Sequence, residues 1–178
     1  MGRKPTITRV KLLELAEEIV RTDGVKALTV DALAQAAKIS KGGVQYSFAS
    51  KDELVKALVD RWTSQFDAEL ADNDDQTMSK IIRRYIAVTR SSQGAMNAKL
   101  AGLMIAYIQD PENLKETRAW YQSMFDKFAG KDPDAQAVRV AFLAVEGLFQ
   151  LRIAGIDQEG AWLGFLDDVE AVLSRLLD

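Results

Sequence analysis

Apolar residues recur every three or four positions along most of this 178-residue chain, and no stretch alternates apolar and polar side chains in the manner of a strand. That period predicts an all-α fold of about nine helices. A first helix is expected from about Thr6 to Thr22, with Leu12, Leu15, Ala16 and Ile19 on its apolar face and a stop at Gly24. A second runs from Thr29 to Lys38, and after a turn of a few residues a short third opens at Ser40, whose hydroxyl can accept from a free backbone N–H. Ser50 and Glu53 have the spacing of a capping box, so a fourth helix should start there and carry Leu54, Leu58, Trp62 and Phe66 on one side until the polar run 72–76 breaks it. Helices over about Met78–Arg90 and Ala95–Gln109 follow, divided by a turn at Ser91-Ser-Gln-Gly94. Asp110-Pro111 and Asp132-Pro133 each set a capping carboxylate before a proline at the first helical position, predicting helices of about Pro111–Ala129 and Pro133–Ala154. Asp157 is expected to cap the last helix, which ends near Leu177.

The second and third helices have the spacing of a helix-turn-helix, with the third pressed against DNA. Val44 and Phe48, four residues apart, would face inward, leaving Lys41, Gly42, Gly43, Gln45, Tyr46 and Ser47 outward. Two consecutive glycines inside a helix cost about 1 kcal/mol each relative to alanine. They remove side chains where a backbone must come close to something, and a major-groove floor is one such partner. Lys41 can donate to guanine O6/N7 or to a phosphate, and Gln45 can pair with the N6/N7 edge of adenine. Tyr46, Ser47 and Lys51 offer the hydroxyl and ammonium donors that usually go to phosphate oxygens. The same residues also fit a Gly-Gly loop between two helices.

Charge sharpens the choice. The chain carries a net charge of −3, yet residues 1–51 hold nine Lys and Arg against five Asp and Glu, leaving +4 there and −7 in the remainder. Such an asymmetry is expected when one end neutralises phosphate and the other does not. Arg3 and Lys4 form a short basic arm that could enter a minor groove or remain a solvated tail. With neither histidine nor cysteine, the chain lacks the commonest general base, the thiol nucleophile and the usual transition-metal ligands. It has no glycine-rich phosphate loop either, so no enzyme activity, metal or cofactor is expected. No leader pattern and no apolar run of membrane-spanning length is present, so a cytoplasmic protein without a membrane partner is expected.

Residues 7–54 resemble the DNA-binding domain of the TetR family of bacterial transcriptional regulators, in order and over its full length. The matching stretches are Ile7–Val20, Asp23–Ser40 and Lys41–Leu54. The resemblance implies a three-helix DNA-binding domain over 1–51 and a helical regulatory and dimerisation domain over 52–178. It places Lys41, Gly42, Gly43 and Gln45 toward bases, and Thr29, Tyr46, Ser47 and Lys51 toward phosphates. Gln45 stands where the family often has an aromatic residue and Ser47 where it often has histidine, so the operator sequence does not transfer.

The resemblance further implies a ligand-released repressor that binds a double-stranded, palindromic operator as a homodimer. The last two helices are apolar over more than one stripe, as a second partner would require, although both could also close the monomer's own core. The family arrangement makes them a four-helix bundle with their copies, and points to Phe142, Val145, Phe149, Phe165, Val169 and Leu173 at the interface. It also implies a ligand cavity among the middle helices, for which Trp62, Phe66, Tyr85, Met104, Tyr107, Trp120, Met124 and Phe128 are candidates. Aromatic rings and methionines suit a small apolar or cationic-aromatic effector, and Glu69, Asp110 or Glu146 could meet a cationic group. The alternative is a nucleoid-associated or protein-controlled DNA binder without a small-molecule effector.

Overall fold

The structure, a computed structural model, describes residues 7–71, 77–95, 98–108, 110–157 and 159–177. Among them are nine α-helices, two short 3-10 turns and no strand. The helices are α1 (Arg9–Asp23), α2 (Val30–Ala37), α3 (Lys41–Ser47), α4 (Lys51–Ala71), α5 (Met78–Ala95), α6 (Ala98–Ile108), α7 (Pro111–Lys127), α8 (Pro133–Ile153) and α9 (Phe165–Leu177).

Side chains near each start explain where several helices begin. The hydroxyls of Thr8, Thr29 and Ser40 accept from the backbone N–H groups of Lys11, Ala32 and Gly43, satisfying donors that have no partner inside the helix. Thr8 therefore opens α1 slightly later than the spacing predicted. Asp110 and Asp132 cap α7 and α8 through Glu112 N and Ala135 N, each with proline at the first turn. At the head of α4, Ser50 Oγ accepts from Glu53 N at 3.0 Å, and Glu53 Oε2 reaches back to Ala49 N at 2.8 Å. This is a capping box whose return bond falls one residue before the cap.

Two expected boundaries are corrected. The Ser91-Ser-Gln-Gly94 segment does not end a helix: α5 continues to Ala95. Ser91 Oγ and Ser92 Oγ donate to the carbonyls of Val88 and Thr89, so these hydroxyls bond back along the helix instead of breaking it. Nor does Asp157 cap the last helix. The end of α8 turns through Gly155 (φ 73), with Gly155 N bonded to Arg152 O and Ile156 N to Leu151 O, which is the paired pattern of a Schellman ending. Asp157 follows as a buried residue, and a 3-10 turn over Ala161–Gly164 leads into α9.

The helices form two compact units. The first reaches to Thr63 and takes in Lys99–Tyr107 from α6; the second holds Ser64–Ala98 and Ile108 onward. The unit around α3 is therefore larger than residues 1–51. It includes the first part of α4, where Leu54, Leu58 and Val59 are buried, and it gains Leu100, Ala101 and Leu103 of α6. Its remaining interior comes from Leu12, Leu13, Ala16 and Val20 of α1, Leu28, Leu33 of α2, Val44 of α3 and Phe48. In the second unit, Ile82, Tyr85 and Ile86 of α5 pack with Met124, Phe128, Val138, Phe142, Val145, Leu166 and Leu173 in one cluster.

One backbone conformation stands out. Lys38, between α2 and α3, is the non-glycine residue at positive φ among those described (φ 55, ψ 39). Its N–H bonds to Gln35 O, and Ile39 N bonds to Ala34 O, another Schellman pattern, here without the usual glycine. A side chain in this region costs about 1–2 kcal/mol. We therefore expect Lys38→Gly to stabilise the free protein by roughly 1 kcal/mol in urea unfolding. No gain, or a loss, would show that the left-handed turn carries no such cost.

Candidate nucleic-acid interface

Helix α3 has only seven residues, and Gly43 and Ser47, read as outward in the sequence, are half-buried. Val44 and, just beyond the helix, Phe48 are fully buried, while Lys41, Gly42, Gln45 and Tyr46 are exposed, Tyr46 to 93%. Gln45 and Tyr46 have no bond to any other described side chain, so neither is employed in holding the fold together.

The two glycines have different reasons to be there. A Cβ added at Gly42 would meet only Ser40 Oγ at 3.9 Å, an ordinary contact, so nothing within the protein excludes a side chain. At Gly43 the added carbon would lie 3.1 Å from Ile39 Cδ1, tighter than normal packing. Gly43 thus lets Ile39 of the turn lie against α3, and only Gly42 is left without an internal cause.

Several cations surround α3. Lys41 Nζ lies 3.0 Å from Asp31 Oδ2 on the first turn of α2. Lys51 Nζ donates to the carbonyl of Val25 at 3.4 Å, so its ammonium is anchored beside the turn that precedes Thr29. Thr29 is exposed, with its hydroxyl engaged in capping α2. Ser47 is half-buried and gives its carbonyl to Arg9 Nη1 at 2.6 Å. Arg3 and Lys4 lie outside the described residues.

Arg9 is a residue that the sequence pattern missed. Beyond its bond to Ser47 O, its guanidinium sits 4.3 Å from the ring centroid of Phe48 and 3.4 Å from Glu53 Oε1. One side chain at the start of α1 therefore binds the last turn of α3 and the capping carboxylate of α4. Lys99 was missed too: its ammonium donates to Thr22 O, while Lys56 Nζ donates to Tyr107 Oη at 3.2 Å. These bonds fasten both ends of the α6 segment within the first unit. No spacing rule links residues this far apart in the chain.

The structure does not gather the eight candidate pocket residues around one cavity within either unit. Trp62, Met104 and Tyr107 belong to the first unit, where Trp62 Nε1 donates to Glu17 Oε2. Phe66, Tyr85, Trp120, Met124 and Phe128 belong to the second. Phe128 is wholly buried core, and the rings of Phe66, Tyr85 and Trp120 pack mutually at 5.7–6.3 Å. Trp120 and Met124 do border a cleft of about 280 Å³, together with Asp67, Leu70, Ile81 and Lys127. Trp120 Nε1 donates to Asp67 Oδ1 at 2.9 Å on its rim. Nearby in the core, Glu146 accepts from the hydroxyls of both Tyr85 and Tyr121. Burial first, and then the Glu146 charge, raise both phenols well above the ordinary tyrosine range, so they remain donors to the carboxylate.

The expected dimer residues also divide. Phe142, Val145 and Leu173 are buried within the protomer's own core. Phe149 and Val169 are half-buried, and Phe165 is exposed. The apolar side chains left in solvent are instead Val140 and Leu143 of α8, and Phe165, Val172 and Leu176 of α9. With Ala144 and Gly147, also exposed, Val140 and Leu143 follow the i, i+3, i+4, i+7 spacing of one helix face, and Phe165, Val172 and Leu176, at i, i+7 and i+11, share one face of α9.

Residues 12–58 match a family model described as bacterial regulatory proteins, tetR family, and residues 79–178 match one described as the tetracyclin repressor-like C-terminal domain. Among solved structures, the chain is similar to a Rhodococcus sp. protein described as a TetR-family transcriptional regulator. That likeness has a TM-score of 0.65 over 96% of this chain and 98% of the other, at 16% identity, and speaks to the fold alone. No curated protein matches.

The two glycines give a test in the free protein. Gly42→Ala should raise stability by up to about 1 kcal/mol, because a better helix former enters open space. Gly43→Ala should gain less or lose stability, because Ile39 must move. Urea titrations in which Gly43→Ala is at least as stable as Gly42→Ala would refute the packing explanation.

Proposed function

Because the chain belongs to the TetR family of bacterial regulators and is a DNA-binding transcriptional regulator, we propose that it is a repressor that holds a palindromic operator as a homodimer and is released by a small ligand. The observation that carries this reading is the exposed face of α3. A helix this short, with Gly42 costing stability and Tyr46 and Gln45 unused by the fold, is better explained by an outside partner than by the protein's own packing. In this reading Lys41, Gly42 and Gln45 approach base edges, while Thr29, Tyr46, Ser47, Lys51 and the Arg3-Lys4 arm serve the backbone. Gly43 joins the base-facing set by position, with its internal role beside Ile39.

Dimerisation follows from the size of the reading element. A single short helix covers too few base pairs to select one genomic site, whereas two related by a two-fold axis read half-sites about 34 Å apart or a multiple of that. The outer stripes of α8 and α9 support a four-helix interface with a second copy. The core residues Phe142, Val145 and Leu173 then act from behind by holding those stripes in place.

For the effector, the second unit's cleft supports a small apolar or cationic-aromatic compound: Leu70, Ile81 and Met124 offer apolar surface, Trp120 a ring and Asp67 a carboxylate. Such a ligand releases DNA only if it binds the DNA-incompetent arrangement more tightly.

Selection of bound duplexes from a randomised library tests the core of this reading. We expect enrichment of a two-fold symmetric site by the wild-type chain. Gln45→Ala should relax one position per half-site, while Lys51→Ala should weaken all duplexes alike and lower the salt slope by about one per head. Unchanged specificity for Gln45→Ala would remove it from the base-reading set, and failure to enrich any site would favour a general DNA coater. For assembly, Leu143→Glu should shift the sedimentation equilibrium to monomer and cut operator affinity by about a hundred-fold or more, since it would bury an unpaired charge at the interface. A variant that stays dimeric at the same concentration would exclude the α8 stripe as the interface.

A further inference from the structure

Residues 24–51 contain a single acidic side chain, Asp31. The other four acids of the first 51 residues all lie on α1, as Glu14, Glu17, Glu18 and Asp23. Asp31 stands on the first turn of α2 with its carboxylate 3.0 Å from the ammonium of Lys41, the first residue of α3. Both side chains are more than half exposed, and among the described residues neither group has another bonded partner. A carboxylate that touches a DNA-facing ammonium must itself lie close to the phosphates, where a negative charge opposes binding.

We propose that Asp31 is a positioning residue for Lys41: it aims the ammonium for a base edge and withholds its charge from indiscriminate phosphate binding. This rests on the reading of α3 as the DNA-reading helix. An ammonium has three N–H donors, and the bond to Asp31 uses one. The two left over suffice for guanine O6 and N7, a contact that depends on aim. Sequence-independent binding depends instead on net charge, because each phosphate neutralised releases counterions and adds about 0.9 to the salt slope. A lysine already paired with a carboxylate contributes less to that release. Asp31 therefore weakens binding to arbitrary DNA more than binding to a site that presents guanine to Lys41. The ratio between the two rises even though the total attraction falls.

The isosteric variant Asp31→Asn removes the charge at an exposed position. Binding of the full chain to a selected duplex and to a scrambled one is measured by fluorescence anisotropy across a salt series. For Asp31→Asn we expect the slope of log K against log salt on the scrambled duplex to steepen by about one per head. Over a four-fold range of salt this multiplies the change in affinity by roughly 3.5 per head. The selected-to-scrambled ratio should fall several-fold. In a Lys41→Ala background the same substitution should steepen the slope less and leave the selected-to-scrambled ratio unchanged, because only the carboxylate's own repulsion is relieved and there is no ammonium to release. An unchanged slope and ratio in Asp31→Asn, or equal steepening with and without Lys41, would overturn the proposal while leaving the DNA-reading assignment standing. A wild-type chain that enriches no duplex at all overturns both.

Discussion

The geometry of the first unit depends on how the chain turns between α2 and α3. Lys38 takes the left-handed conformation, its N–H and that of Ile39 close the end of α2, and Ser40 caps α3 two residues later. The turn is so short that it fixes the angle between the helices, and Ile39 against Gly43 leaves that angle little play. An isolated helix of seven residues containing two glycines would not persist in water. Here α3 is held at its start by the turn, along one side by Val44, and at its end by Phe48 and Arg9. Because Arg9 also lies beside Glu53, the last turn of α3 and the capping box of α4 share one restraint. All the holding is done from the inner side and the two ends, and this is why the outer face is free of structural duties.

The second unit divides labour between faces in a similar way. On α9, Leu166 and Leu173 enter the core, and Phe165, Val172 and Leu176 remain outside. Polar contacts fix which face turns inward: Arg90 of α5 reaches Asp167 and Glu170, and Arg83 donates to Ser174 Oγ. Those acids sit at i and i+3, so one guanidinium grips the flank of α9 on the side of its inner stripe away from the outer one. Rotation of α9 that exposed its core residues would break these contacts as well as the packing. The outer stripe is thereby presented in a constant orientation, which a self-complementary interface requires.

Much of this was legible in the sequence wherever a local rule applied. Caps at Thr29, Ser40, Asp110 and Asp132 involve partners two or three residues away, and the inward pair Val44 and Phe48 follows from helical period alone. The misses occur where a local signal has two outcomes or where partners are distant. Serines bond back along a helix as readily as they end one, and α5 takes the first course. Apolar breadth on α8 and α9 is more than one stripe, yet the period does not say which face packs in the monomer: Phe142 enters its core, while Phe165 stays outside. Arg9 and Ser47 are 38 residues apart, and no pattern in one chain announces their bond. Composition ignores position, so it does not say to which unit each aromatic residue of the middle helices belongs.

Charge distribution explains why restraint is as useful as attraction in the proposed reading. Residues 1–51 carry +4 and the rest of the chain −7. Attraction to phosphate is confined to one end, and the acidic remainder opposes any second, unproductive mode of coating DNA. Affinity for arbitrary duplex is then modest, and discrimination must come from the few groups that reach base edges. Those groups are a glycine with open space above it, an unengaged glutamine and a lysine tied to a carboxylate. Phosphate affinity alone would favour more cations around α3, but a cation that strengthens all sequences equally adds nothing to the specificity ratio and only holds more protein on non-specific sites. With a genome of competing sites, a weaker head with well-aimed donors outperforms a stronger one, and the small positive balance of this head, with Asp31 inside it, meets that requirement.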